Sequence, residues 1–471
     1  MKQKSKGISL IQNIILFFIA NFIPKAITFF MVPLYTYCLT TSEYGTADLM
    51  LTTVNLILPV FTLQIQDAML RFSLDKNNDP SDIYTSGLKI VMIGSLILIV
   101  ICSLCKSTAM ITLDISYVIL FLVLYILNAI RNISSYFCRG IDKIKTLTIS
   151  TVSLTLITVL CNLIFLLIFK WNVYGYLLSI CIGNAAAVAI MFSGAKLYKY
   201  IKPKNSVPKI ALKIIKFSVP MVFSALSWWM NTSMDKYILG YFCGTSAVGL
   251  LAVAYKIPSV LSLFGTSIAN AYSISAIKDF DKNDSDGFLG QSYSIINMFF
   301  VVGCSVLMLS NIFVSKLIFS NSFFEAWKFV PPLLVSSLLS MLCLTYENYY
   351  IAIKKTNIIS ATAVVGAITN LTLNLILIPK FSAYGAAVST AIGFFVSWII
   401  RYIILNKYIK LKHNFPAECI SYIFIVIQMI LAYFGNRYIL FQVVATICIV
   451  IIYHKQLLFL ISKALKFKIK G

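Results

Sequence analysis

The sequence contains few of the side chains on which enzymes usually depend. Only two histidines, His413 and His454, and sixteen acidic residues occur among its 471 residues. It has no H-E-x-x-H motif, no phosphate-binding P-loop and no glycine-rich dinucleotide turn, and no pair of carboxylates has glycosidase-like spacing. We therefore expect no catalytic residues, no metal site and no cofactor. The sequence also has no ATP-binding module. Any transport by this protein would therefore be driven by a gradient or by downhill consumption of the molecule that it moves.

Charged residues of both signs are also scarce, at 12% of the chain, whereas a soluble protein carries about 25%. Hydrophobic residues make up 59%, and the mean hydropathy is +0.89. These values indicate a membrane protein. The eleven cysteines form no metal-binding or disulfide pattern, and we interpret them as small apolar residues of the membrane interior.

Long apolar runs recur fourteen times along the chain, and a helix needs about 20 apolar residues to cross a bilayer. We predict an all-α, polytopic membrane protein with about fourteen transmembrane helices, arranged as two pseudo-symmetric six-helix lobes around a central cavity plus two C-terminal helices. The predicted spans are 12–37, 46–70, 86–106, 115–138, 146–169, 173–195, 215–240, 246–272, 292–318, 330–353, 357–378, 383–405, 418–435 and 438–460.

Lysine and arginine lie mostly in alternate loops of this map, including both termini. Cytoplasmic loops carry the excess of these residues, so both termini are predicted to be cytoplasmic. The net charge of +23 then indicates contact with the anionic cytoplasmic leaflet rather than with nucleic acid.

A lysine-rich connection and an internal repeat predict the domain organisation. KLYKYIKPKNSVPKIALKIIK begins at Lys196, directly after the sixth span. KWNVYGYLLSICIG, from Lys170, resembles KFSAYGAAVSTAIG, from Lys380, and TTSEYG, from Thr40, resembles GTSAVG, from Gly244. Each pair is separated by six spans, which indicates two parallel repeats. We predict an N-terminal lobe over 1–200, a basic cytoplasmic linker over 201–214, a C-terminal lobe over 215–412, and helices 13 and 14 with a basic tail over 413–471.

Polar residues form stripes on the first helix of each predicted lobe. In the first lobe the stripe surrounds Lys25, which costs roughly 2.5–3.5 kcal/mol in the middle of a span. Such a stripe must face protein or water rather than lipid. The predicted polar lining of the cavity is Asn21, Thr28, Asn231, Asp235 and Ser259.

Three cations inside predicted spans are candidate ligands for an anionic cargo. Lys25 and Lys256 lie at similar depth in the two lobes, and Arg131 lies closer to the cytoplasmic end of its helix. A pyrophosphate needs several cations around it, so we predict that these three residues bind one. The alternative is that Lys25 or Lys256 pairs with a buried acid, for which the candidates are Asp48, Asp67, Asp235 and Glu347.

Several segments resemble bacterial polysaccharide-biosynthesis flippases, the oligosaccharide branch of the multidrug/oligosaccharidyl-lipid/polysaccharide superfamily. The longest is SLIQNIILFFIANFIPKAITFFMVPLYTYCLTTSEYGTADLM, from Ser9 to Met50. The others are AMLRF from Ala68, YFCRGIDKIK from Tyr136, MDKYILGYF from Met234, VGLLAVAYKI from Val248 and NLILIPKFSAYGAAVSTAIG from Asn374.

The resemblance implies translocation of an undecaprenyl-diphosphate-linked oligosaccharide, of O-antigen or capsule type, from the inner to the outer leaflet of the bacterial cytoplasmic membrane by alternating access. It implies contact with membrane lipid, a polysaccharide polymerase and a chain-length regulator as partners, and H⁺ or Na⁺ as coupling ion. The alternatives are a multidrug antiporter of the same superfamily, a lipid II flippase, or a membrane polysaccharide polymerase or acyltransferase. The antiporter would need buried acids, and the two enzymes would need a large external loop or a histidine within the membrane.

Overall fold

The fold is described here from a computed structural model, for residues 22–75, 77–108, 114–202, 208–278 and 281–459. Within these ranges the regular structure is helical and contains no strand. In the N-terminal part the helices are α1 Phe22–Cys38, α2 Thr41–Phe61, α3 Gln66–Ser73, α4 Pro80–Ser107, α5 Ile115–Gly140, α6 Ile144–Asn162, which continues as a π-helix over Leu163–Ile168, and α7 Asn172–Gly194.

The C-terminal part continues the same pattern. Its helices are α8 Pro208–Ala254, α9 Lys256–Lys278, α10 Phe288–Leu309, α11 Asn311–Ile318, α12 Val330–Ala352, α13 Thr356–Leu405, α14 Phe415–Tyr433 and α15 Ile439–Ile452. Short 3₁₀ turns lie at Leu197–Tyr200, Asn321–Lys328 and Gly435–Tyr438.

Twelve of the helical segments in the described ranges are long and apolar enough to cross a membrane. One of them, α13, has 50 residues and is interrupted at Ser382, where φ is 51°, so it covers two predicted spans. The shorter apolar helix α1 coincides with the C-terminal part of the first predicted span. The prediction of an all-α, many-span membrane protein is therefore confirmed.

Large apolar side chains are exposed along the sides of these helices, as expected when lipid is the solvent. On α4, Met92 is 67% exposed and Leu96 62% exposed, although both lie in the middle of a helix. In water, exposing this apolar surface would cost a free energy of about 25 cal/mol for each Å². The exposed stripe thus marks the side of α4 that faces acyl chains.

The chain divides into two compact units, Met1–Ser233 and Met234–Gly471. The division falls within α8, so the part of α8 from Pro208 to Ser233 packs with the first unit. The start of the basic linker also packs on this unit, because the Lys202 backbone N–H donates to Thr85 Oγ1 at 3.0 Å and Lys202 Nζ lies 3.2 Å from Asp79 Oδ2. Asp79 caps α4, and the Ser81 backbone N–H and Lys202 lower the pKa of its carboxyl.

The internal repeat has matching local geometry in the two units. Asn172 and Ser382, at equivalent positions of the repeat, have positive φ angles of 47° and 51°. Seven residues later, Ser179 Oγ donates to the Gly175 carbonyl at 2.7 Å and Ser389 Oγ to the Gly385 carbonyl at 2.8 Å. The repeat therefore encodes the same turn and helix start twice.

The last two helices belong to the second unit and are joined to it by buried hydrogen bonds. Ser305 Oγ of α10 donates to Gln428 Oε1 of α14 at 2.8 Å. Gln428 Nε2 in turn donates to the Gln442 carbonyl of α15 at 3.0 Å. Buried polar pairs of this kind fix the packing of helices that have no hydrophobic driving force between them in lipid.

Candidate functional site

The first unit contains a polar cavity of about 590 Å³ between two candidate membrane spans. One wall comes from α2, α3 and the break between them, and the other wall comes from α8. The polar lining includes Asn55, Gln64, Gln66, Asp67, Ser224 and Thr232. We call this cavity the first-unit pocket.

A break in the helical backbone places the acidic side of the pocket. The chain leaves α2 after Phe61 and enters α3 at Gln66, with Leu63 and Gln64 at φ angles of 53° and 52°. Positive φ in a residue other than glycine costs of order 1–3 kcal/mol and clusters at functional sites. Asp67 follows directly, and its Oδ2 lies 3.4 Å from Gln64 Nε2.

Proline interrupts the backbone hydrogen bonding of the α2 wall. Pro59 lies inside α2 and lines the pocket together with Asn55. Because proline has no N–H, it cannot donate to the carbonyl of residue 55, which would be its usual helical acceptor. The α2 wall therefore combines a missing helical hydrogen bond with the side-chain amide of Asn55.

Two contacts hold α8 against this wall. Trp229 Nε1 donates to the Thr52 carbonyl at 3.0 Å, and the rings of Phe72 and Phe217 meet edge to face with centroids 5.8 Å apart. The pocket lies along α8 from Met221 to Ser233. Trp229 is buried by its contact, whereas the neighbouring Trp228 is 71% exposed and also lines the pocket.

The predicted residues of the first unit that the structure describes do not line this pocket. Lys25 is exposed on α1 and forms no salt bridge within the described ranges. Thr28 is also exposed, and its hydroxyl donates to the Pro24 carbonyl at 2.8 Å. Asn21 lies outside the described residues. Arg131, on α5, donates from Nη2 to Asn128 Oδ1 at 3.2 Å, and its buried Nε has no partner in the described part of the chain.

In the second unit, Asp235 is buried and its carboxylate has partners from its own unit. Tyr255 donates its hydroxyl to Oδ2 at 3.0 Å, and the Lys236 backbone N–H donates to Oδ1 at 2.9 Å. Lys256 begins α9 and is half-buried, and its carbonyl accepts the hydroxyl of the exposed Ser259 at 2.6 Å. Asn231 belongs to the first unit, and its side chain lies outside the described part of the structure.

Arg401 is more buried than its place in the sequence suggests. It lies near the end of the predicted span 383–405, where we expect it to belong with the cations of the following cytoplasmic loop, but the residue is 3% exposed. Its Nη1 lies 2.7 Å from Glu347 Oε1, and its Nε donates to Thr362 Oγ1 at 2.8 Å. Glu347, one of the acids considered as a partner for the lysines, is therefore paired within the second unit.

Comparison with protein-family models gives a match to the polysaccharide biosynthesis protein family over residues 10–274. This range covers more than half of the chain and includes the whole first-unit pocket.

The chain belongs to the polysaccharide biosynthesis protein family.

Relatives of this family member occur among archaeal proteins. It is 29% identical over 288 residues to an uncharacterized membrane protein of Methanocaldococcus jannaschii. It is also 24% identical over 216 residues to a probable low-salt glycan biosynthesis flippase of Haloferax volcanii. The matches cover 56% and 44% of this chain, and the chain spans about half the length of these relatives, 54% and 44%. The bacterial origin implied by the resemblance is not shown by these archaeal relatives.

Solved structures with the same fold come from two transporter types. An inward closed lipid II flippase superposes with a TM-score of 0.71 at 15% identity, covering 94% of this chain and all of that chain (100%). An inward-facing multidrug resistance transporter of the MOP superfamily gives a TM-score of 0.60 at 11% identity, covering 81% of this chain and 95% of that chain. At these identities the likeness shows the fold of the family member.

The pocket itself is not evident from hydropathy. The predicted span 46–70 runs through the helix break, because Leu63 and Ile65 keep the run apolar. The sequence signal that marks the site is the cluster of Gln64, Gln66 and Asp67 within an otherwise apolar span. An ionisable residue at such a position is a functional candidate by default.

Proposed function

We propose that this family member is a flippase that moves a polyprenyl-diphosphate-linked oligosaccharide from the inner to the outer leaflet by alternating access. The observation that carries the proposal is the family match over residues 10–274. The first-unit pocket supports it, because a glycan that crosses a bilayer needs polar groups between the spans, where lipid offers none. The carrier that we propose is undecaprenyl diphosphate, with an O-antigen or capsule repeat unit, in the bacterial cytoplasmic membrane with both termini inside.

The cations keep their proposed role in holding the diphosphate. Lys25 is exposed and without a salt bridge in the described ranges, as a residue that binds an exchangeable anion requires. Arg131 supports the same role, because its buried Nε has no partner in the described part of the chain. Lys256 is proposed on its position in the second unit, and a proton or sodium gradient is proposed to drive the cycle.

A multidrug antiporter is the second candidate function. Asp67 forms no salt bridge within the described ranges and shares a pocket with the exposed Trp228, and a carboxylate beside an aromatic ring suits an organic cation. The family match favours the flippase, because the antiporter is supported here by fold likeness and by this carboxylate and aromatic ring.

Deletion of the gene from its own cell separates the two functions. The flippase predicts that surface glycan is lost and that lipid-linked oligosaccharide accumulates, both reversed by a plasmid copy. Normal surface glycan together with increased sensitivity to cationic dyes would instead establish the antiporter.

A further inference from the structure

The polar groups of the first-unit pocket have few partners in the protein. Asn55, Gln66 and Ser224 form no side-chain hydrogen bond within the described ranges, and Asp67 bonds only Gln64 there. Unpaired amides and hydroxyls between membrane spans are costly unless water or a ligand meets them. The pocket is therefore built to receive a molecule with many hydrogen-bonding groups.

The geometry points to a sugar subsite: we propose that the first-unit pocket binds one neutral pyranose of the glycan, with Trp228 against its apolar face and Asp67, Gln64 and Asn55 on its hydroxyls. This inference rests on the proposed function, because it assigns the sugar part of the same cargo. The cavity of about 590 Å³ falls within the usual range of small-molecule sites, about 300–1,000 Å³.

The aromatic and polar groups together match the two kinds of surface that a pyranose presents. One face of the ring carries C–H groups, which pack on an aromatic face, and Trp228 is 71% exposed and so available for this contact. Around the edge, each hydroxyl both donates and accepts. The Asp67 carboxylate accepts, while the side-chain amides of Asn55, Gln64 and Gln66 provide donors as well as acceptors.

The same inventory argues against a cation and against an acidic sugar. An organic cation could contact Asp67 and Trp228, but it would leave the amide N–H groups of Gln66 and Asn55, which only donate, without an acceptor. An acidic sugar would bring its carboxylate close to Asp67, whose charge no residue neutralises within the described ranges. A neutral or N-acetylated sugar uses both the donors and the acceptors.

Binding to purified protein in nanodiscs tests the subsite. The probes are undecaprenyl diphosphate and the same lipid carrying glucose, galactose, N-acetylglucosamine, rhamnose or glucuronic acid, with affinity measured by native mass spectrometry. We expect at least one neutral-sugar lipid to bind about tenfold more tightly than bare diphosphate. Trp228→Ala and Asp67→Asn should each remove this advantage and leave the affinity for the bare diphosphate within twofold of the wild type.

Two control variants change residues on α8 and just beyond α3. Phe223→Ala removes a side chain that is 70% exposed on α8 but does not line the pocket, and Asp75→Asn removes an exposed carboxylate beyond α3. Both should keep the sugar advantage. The subsite is wrong if the wild type binds all lipids equally, if only the glucuronic acid lipid gains, or if the advantage survives in both pocket variants. If no lipid binds, including bare diphosphate, the proposed flippase function itself fails.

Discussion

At the scale of single residues, burial separates the cations that stabilise the fold from those that are free to bind cargo. Lys25 is exposed on α1 and has no carboxylate partner in the described ranges, whereas Arg401 is buried against Glu347. Lys25 could be identified from the sequence as a candidate ligand, because it interrupts an apolar run. The structural role of Arg401 could not be identified, because this residue lies near the end of a span and its partner Glu347 is distant in the sequence.

Lys25→Ala should reduce transport of the lipid-linked glycan at least about tenfold, since a hydrogen bond to a charged group contributes about 1.5–3 kcal/mol. Lys25→Arg keeps the charge and should retain more activity. Lys145→Ala, at an exposed position at the start of α6, is the control. Surface glycan in cells that express equal amounts of each variant measures the effect, and normal glycan with Lys25→Ala would remove the residue from the site.

Arg401→Ala should lower the stability of the protein. Removing one partner of a fully buried ion pair costs about 3–5 kcal/mol. Because the Glu347 side chain is 28% exposed, we expect a smaller loss from the pair, and the substitution also leaves Thr362 without the Arg401 Nε donor. The midpoint of thermal unfolding in detergent should therefore fall, whereas Arg437→Ala, at an exposed position, should leave it nearly unchanged. Equal midpoints for the wild type and Arg401→Ala would show that the pair does not stabilise the second unit.

At the scale of helices, small residues allow neighbouring helical segments to approach closely, at equivalent positions of the two repeats. A Cβ on Gly393 would lie 2.9 Å from Asn370 Cβ and 3.0 Å from the Gly366 carbonyl oxygen. In the first unit, a Cβ on the equivalent Gly183 would lie 2.9 Å from the Leu154 carbonyl oxygen. Small residues at such crossings permit the backbone contact that holds membrane helices together.

Gly393→Leu should destabilise the second unit, because overpacking a tight interface costs typically about 1–3 kcal/mol. Ala361→Leu places the same side chain at an exposed position of α13 and serves as the control. We expect a lower unfolding midpoint for Gly393→Leu alone. An unchanged midpoint for this variant would mean that the two segments of α13 do not need their close approach.

The helices also show which features the sequence can predict. The positions of the spans can be predicted from the lengths of the apolar runs. The internal repeat places Asn172 and Ser382, which both have positive φ angles, at equivalent positions. The break after Phe61 could not be predicted from hydropathy, because Leu63 and Ile65 keep the run apolar, and the positive φ angles of Leu63 and Gln64 are visible only in the structure. The unpaired polar groups of the pocket emerge only when α8 packs beside this break.

At the scale of the whole molecule, the chain is a helical membrane protein with two compact units, and it matches the polysaccharide biosynthesis protein family over 10–274. Composition and loop charge were sufficient to predict the membrane fold. The boundary of the compact units falls between Ser233 and Met234, after the predicted linker over 201–214, because the first half of α8 packs on α2 and α3. Contacts such as that between the Trp229 side chain and the Thr52 carbonyl determine where the boundary falls. No periodic pattern in the sequence predicts such contacts.

Transport in proteoliposomes tests the central claim most directly. Lipid-linked oligosaccharide that accumulates in the deletion strain is labelled on its sugar with a fluorophore and incorporated into both leaflets, and an impermeant reductant then bleaches the outer leaflet. Protein-containing vesicles should lose nearly all fluorescence, while empty vesicles and vesicles with Lys25→Ala should retain about half. Bleaching in vesicles with wild-type protein that stops at the same half as in empty vesicles would contradict the account.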